Sequence, residues 1–335
     1  METVRGVRLT ERGPGTQVKG RRISERLLAP LYLDTNRDHR RSVFLAGSGR
    51  SGTTWASEII NYRREYRLVF EPFHPGRVTL CRNFRRKQYL RPEDRREDYL
   101  EPARKILTGE LRNSWTDRFH RTFVARRRLI KDIRANLLLG WMRTNFPGMP
   151  VILLLRHPCA VAASKLALGW KDNLAEILDQ KYLIEDHLRP FEHEIRDAST
   201  SFERHVFVWC IENYVPMKQL SPDGVHLMFY EELLASPETE IPRLFTCLGG
   251  DFDDRVYEAL DRPSPLSRDG AKGERDPGAW MNAIGEARMR RAGEIMGLFG
   301  LDRVYGNGPM PDSEGARAMM RDTSRLLPGE VQGEG

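Results

Sequence analysis

The chain has 335 residues, with 54 basic against 47 acidic side chains and a net charge of +7. At 40% hydrophobic residues it can bury the core of one large domain, and its charges are spread along the chain rather than gathered in one tail. The longest strongly apolar run, Val151–Leu155, falls far short of the ~18 residues that span a bilayer, and the Arg- and Gly-rich start lacks a signal peptide's apolar centre, so a cytoplasmic enzyme is expected.

Residues 1–41 read as a basic peripheral arm, with one amphipathic segment at 23–33. A strand over Val43–Ala46 then runs through a glycine-rich loop into a helix over Thr53–Tyr62. The strand Leu68–Phe70 ends in Glu71-Pro72, and residues 76–120, charged and weakly periodic, predict a helical insertion over the sheet edge. Strand Arg128–Lys131, helix Ala135–Phe146 and the wholly apolar strand Val151–Leu155 follow, the last suited to burial on both faces. A helix begins at Ala160 after Pro158, and helical patterns cover 174–194 and 201–219. Strand Val225–Phe229 precedes helices at 237–248 and 252–260, a Gly/Pro-rich loop at 263–278, a helix at 280–299 and a flexible tail over 306–335. Strands alternating with helices imply a mostly parallel sheet.

The loop Gly47-Ser-Gly-Arg-Ser-Gly-Thr-Thr-Trp55 is the densest signal in the chain. Successive backbone N–H groups and the positive end of a helix dipole make such a loop an anion site. Three ligand classes compete for it. A nucleoside triphosphate loop needs lysine where Thr53 stands, so its main cation is missing. A dinucleotide fold matches Gly47, Gly49 and Gly52, with Glu71 near the place of a ribose-binding acid, but it leaves Arg50 and the two threonines unexplained. The third class explains them. Arg50-Ser-Gly-Thr-Thr-Trp55 resembles the 5′-phosphosulfate loop of sulfotransferases, which use 3′-phosphoadenosine 5′-phosphosulfate (PAPS).

A second element agrees with that resemblance. Leu153-Leu-Leu-Arg156 through Ser164 is similar to the family's 3′-phosphate motif, an Arg at a strand end and a Ser eight residues on. Arg supplies a permanently charged fork for phosphate, and Ser164 falls about two turns into the next helix. Phe70-Glu-Pro-Phe-His74 resembles the segment that follows the phosphosulfate loop in carbohydrate-type and many bacterial sulfotransferases. The resemblance implies Glu71 as the base that takes the acceptor's proton, with His74 as alternative base or substrate contact. An apolar lead-in also favours a raised carboxyl pKa at Glu71. Lys131 either stabilises the leaving phosphate or orients Glu71, or else pairs with Asp132 to fix a turn. Lys272, in the loop before Trp280, stands where some relatives close over the 3′-phosphate. Phe229-Tyr-Glu-Glu-Leu233 reads as architectural.

The resemblance implies an α/β, P-loop NTPase-like three-layer sandwich over 42–305, its central parallel sheet flanked by helices, and transfer of a sulfuryl group from PAPS to an acceptor hydroxyl. The donor residues implied are Gly49, Arg50, Ser51, Gly52, Thr53, Thr54, Trp55, Arg156, Ser164 and Lys272; the catalytic ones are Glu71, Arg50, Lys131 and His74. A carbohydrate or glycolipid acceptor is favoured. Neither a metal nor a nucleic-acid partner is expected, and the scattered Cys81, Cys159, Cys210 and Cys247 read as reduced packing residues. The basic 82–96 segment hints at an acidic acceptor but equally suits a solvated face. A non-catalytic polyanion-binding protein is the rival from another class.

Overall fold

The structure, a computed structural model, describes residues 32–262 and 276–324. The described strands are β1 (Leu33–Asp34), β2 (Ser42–Gly47), β3 (Tyr66–Phe70), β4 (Val124–Ala125), β5 (Arg127–Asp132), β6 (Val151–Leu155) and β7 (His226–Phe229). Strands β3-β5-β2-β6-β7 form one sheet in that order, every neighbouring pair parallel. The longer helices are α1 (Thr53–Ile60), α2 (Glu97–Leu107), α3 (Leu139–Asn145), α4 (Pro158–Ala167), α5 (Ser201–Gln219), α6 (Pro237–Cys247), α7 (Glu286–Leu298) and α8 (Ser313–Ser324).

Alternate strand residues pack to opposite sides of the sheet. Val43, Leu45, Leu129, Ile152, Leu154 and Met228 meet Trp55 and Ile59 of α1 and Phe245 of α6. Phe44, Ala46, Ile130, Leu153 and Leu155 meet the other core, which includes Leu138, Val208 and Trp209. Helices therefore cover both faces, which makes the three-layer parallel sandwich that the apolar strands imply.

Several element boundaries differ from expectation. The 76–120 insertion is helical only at α2 and a short turn at Thr79–Cys81, and Val78, Cys81, Phe84, Leu90, Ile106 and Leu107 belong to the main core. The helix expected at 174–194 is broken into short segments, with Pro190 interrupting the hydrogen-bond ladder. The helix expected at 280–299 splits at Gly285, whose φ of +77° no continuous helix allows. The tail is not loose where it is described: α8 buries Ala316 and Met320 completely. Residues 1–31 of the arm, and Lys272, lie outside the described residues.

The described end of the arm is anchored by charge. Asp34 of β1, fully buried at its side chain, sits between Arg128 (2.7 Å) and Arg67 (3.3 Å), both also fully buried. Arg67 reaches Asp117 as well, at 3.0 Å. Removing Asp34 leaves two guanidiniums buried without their shared carboxylate, so Asp34→Ala is expected to lower unfolding free energy by about 3–5 kcal/mol. Urea denaturation checks this, and a loss below about 1 kcal/mol would show that the anchor is dispensable.

Candidate functional site

Strand register assembles the site. Phe70 stands opposite Lys131, Ala46 opposite Asp132, and Gly47 opposite Leu154. The strands therefore end together, and the loop after β2, Glu71 after β3, Ile133–Arg134 after β5 and Arg156 after β6 leave the same edge of the sheet. That carboxyl edge is where open α/β sheets bind ligands.

On one side of the edge the two sequence motifs meet. Arg50 Nε donates to Ser164 Oγ at 2.9 Å, across 114 residues of sequence. Arg156 Nη1 donates to the Arg50 carbonyl at 3.2 Å, and its guanidinium lies 4.2 Å from the centre of the Tyr230 ring. Trp55 packs edge-on against the same ring at 5.2 Å. Gly52, at φ +93°, presses against Tyr230, and a Cβ there would come within 2.6 Å of the ring. Ser51 N–H donates to the Ser48 carbonyl at 3.0 Å, which tightens the loop, while the buried Ser51 Oγ has no hydrogen-bond partner among the described residues. Thr53 and Thr54 open α1 behind the loop. Two guanidiniums, an orphaned hydroxyl and a helix N-terminus fit the phosphosulfate and 3′-phosphate of PAPS.

Glu71 lies on the other side. It is 5% exposed and holds a left-handed backbone, φ +45°, which a side chain other than glycine adopts at a cost. Its N–H donates to the Lys131 carbonyl (2.7 Å), and Trp115 Nε1 donates to its own carbonyl (3.2 Å). Lys131 Nζ donates to Glu71 Oε1 at 2.7 Å and Arg134 Nη1 to Oε2 at 2.5 Å. Asp132 fastens the surrounding loops by accepting from the N–H groups of Phe73 (2.9 Å) and Arg134 (2.7 Å). Lys131 thus pairs with Glu71 rather than with Asp132.

The electrostatics correct one expectation. Burial alone would raise the Glu71 carboxyl, but the Lys131 and Arg134 cations outweigh it and hold the carboxyl below its ordinary value. Asp132, buried and mainly desolvated, is instead pushed up to about 6. His74 is lowered to about 4 by burial and by Arg134 and Arg86. Its Nδ1 accepts from the Gly76 N–H at 3.1 Å, so Nε2 carries the proton and is a donor. That favours a substrate contact over a base.

The sequence reading passed over several of these residues. Arg134 carried no motif, and only the fold puts it on Glu71. Tyr230, in the segment read as architectural, packs against Arg156, Trp55 and Gly52, and its neighbour Glu231 accepts from His157 N–H and from Tyr305 O–H, each at 2.8 Å. Lys165, beside Ser164, is buried without a carboxylate partner among the described residues, and desolvation lowers it to about 8.

A parallel α/β fold with an anion cradle and a carboxylate at one sheet edge defines a group-transfer enzyme acting on a phosphorylated donor. The model of the sulfotransferase family matches residues 42–254, and the chain belongs to that family. Its reaction class is sulfuryl transfer, and the donor expected from the sequence, PAPS, is the one that family uses. No curated protein matches the sequence. Among solved structures, the mouse sulfotransferase SULT7A1 complexed with PAP is similar at 16% identity and a TM-score of 0.41, over 90% of this chain and 95% of that one. The sulfotransferase domain from the curacin biosynthetic pathway is similar at 15% identity and a TM-score of 0.38, over 89% and 100%. These likenesses are remote, and the family assignment rests on the family match.

Gly52→Ala combines a disfavoured φ with a ring overlap and is expected to destabilise the protein by about 1–3 kcal/mol, measured by urea unfolding. For Glu71 the folded pKa lies below the ordinary 4.5, so its contribution to stability is present above that value and lost as pH falls through the native pKa. The stability gap between wild type and Glu71→Gln should therefore hold from about pH 7 to 5 and shrink toward pH 3. A gap that widens on acidification would contradict the ionised pairing.

Proposed function

We propose that the protein transfers a sulfuryl group from PAPS to an acceptor hydroxyl, with a carbohydrate or glycolipid alcohol as the favoured acceptor and the cytoplasm as the place of action. The observation that carries this reading is the meeting of Arg50, Ser164 and Arg156 at the sheet edge from which Glu71 also emerges. PAPS supplies an activated sulfuryl group on a phosphate leaving group. Arg50, the Ser51 hydroxyl, Thr53, Thr54 and the amides of Gly49 and Gly52 hold the 5′-phosphosulfate, and Arg156 and Ser164 hold the 3′-phosphate, with Trp55 behind them. Lys272 adds to that end in this proposal.

Glu71 accepts the proton of the acceptor hydroxyl as the new oxygen–sulfur bond forms and the sulfur–oxygen bond to phosphate breaks. Arg50 and Lys131 supply positive charge where negative charge grows, which lowers the barrier without a metal. His74 donates through Nε2 to the acceptor. Lys131 and Arg134 also fix the carboxylate's orientation, at the cost of making it a weaker base.

Labelled PAPS with a panel of sugars, lipids and phenols tests the reading. Glu71→Gln is expected to lower kcat by ~10²–10⁴-fold while leaving the affinity for 3′,5′-ADP (PAP) unchanged. Equal turnover by that variant would remove Glu71 as base. PAP, and not ATP, is expected to raise the melting temperature; the reverse would reject PAPS as donor. A polyanion-binding protein without activity would bind PAP yet turn nothing over.

A further inference from the structure

The group of residues around Glu71 carries more positive charge than a neutral alcohol requires. Arg134, Arg86 and Arg77 all act on the His74 ring, and Glu71 is the charge that opposes them. Arg118 belongs to the same group, 4.3 Å from the centre of the Trp115 ring, and feels Glu71 and Arg77. Lys131 and Arg134 are engaged by Glu71 itself. Asp132 adds a second negative charge, both its oxygens accepting from backbone N–H groups, and Lys131, Arg134, Arg86, Arg77 and Arg118 still outnumber the two carboxylates.

Two of these cations stand out by their partners. The exposed Arg77 stacks 5.3 Å from the centre of Trp115, whose ring is in turn 5.4 Å from His74 and donates to the Glu71 carbonyl. Arg86, also exposed, acts on the same imidazole. Neither forms an ion pair with a carboxylate among the described residues. Their neighbours in sequence do: Arg85 closes on Asp179 (2.5 Å), Arg91 on Asp186 (2.6 Å) and Arg96 on Asp94 (2.5 Å). Much of the basic 82–96 run is thus neutralised where it stands, and a surplus collects next to the carboxylate read as the base.

Lys131 and Arg134 already hold Glu71 as carboxylate and weaken it as a base, and the further arginines leave the positive charge around it uncompensated when a neutral acceptor binds. An anionic acceptor cancels part of the field as it binds, and the same field draws it in. We propose that the acceptor is itself an anion, a hydroxyl compound bearing a carboxylate, sulfate or phosphate group that Arg77 and Arg86 receive while its hydroxyl meets Glu71. This rests on the reading of the site as a sulfuryl-transfer centre, and it narrows the acceptor within that reading.

The test uses the full chain loaded with PAP and compares glucose with glucuronate, glucose 6-sulfate and glucose 6-phosphate at constant ionic strength. At least one anionic sugar should raise the melting temperature where glucose does not, and the arms tell the three oxyanions apart. The double variant Arg77→Gln/Arg86→Gln should weaken that sugar's binding about tenfold or more, with PAP affinity unchanged. In turnover from labelled PAPS, the variant should raise KM for the anionic sugar by about the same factor and leave kcat largely intact. Glucose binding as well as the anions, or an anionic preference that survives in the variant, overturns the proposal. A parallel loss of PAP affinity also overturns it, by assigning these arginines to the donor. If PAP fails to stabilise the wild type, the sulfuryl-transfer reading falls first and this proposal with it; PAP binding with no anion response sinks this proposal alone.

Discussion

The register of five parallel strands is the constraint on which the site depends. Parallel pairing fixes where each strand stops relative to its neighbours, and here β2, β3, β5 and β6 stop together. Arg50, Glu71, Arg134 and Arg156 all leave the sheet within three residues of that line. A slip of one residue would exchange the two faces of a strand and send these side chains to the wrong side. Each face packs its own set of side chains against its own helices, and close packing opposes such a slip, so the same burial that stabilises the sheet also aligns the site.

Charge is then distributed over two groups of residues at one sheet edge. In the group proposed to hold the donor, arginines meet hydroxyls and backbone groups: Arg50 on Ser164, and Arg156 on the Arg50 carbonyl and the Tyr230 face. In the group proposed to meet the acceptor a single glutamate is held by Lys131 and Arg134, with further arginines around it. The pairing orients Glu71 but depresses its basicity, and this competition links the mechanism to the charge that the acceptor brings.

Local signals were legible wherever a residue's role is set by its own strand or loop. The five sheet strands follow from apolar runs, and the phosphate loop from its glycines and from Arg50. Boundaries failed where a local breaker or a long-range contact decided the outcome. Pro190 and Gly285 interrupt patterns that hydrophobic spacing alone reads as continuous. The 76–120 segment looks like surface because its arginines dominate the composition, yet its sparse apolar residues fill the core. Helix α8 was hidden in a Gly- and Pro-rich tail, and its burial depends on packing against α5 and its neighbours.

The sequence by itself determined the fold class and the family, and it marked the residues proposed to hold the donor. Those depend on short-range spacing, a strand, a glycine turn and a helix start, which the backbone enforces without help. Only the tertiary structure decided which charges pair. It put Arg134 and Lys131 on Glu71, turned the expected rise of that carboxyl into a fall, made His74 a donor and separated acid-paired arginines from those beside the site. Electrostatic interaction depends on distance and burial across the fold, and a linear sequence carries neither.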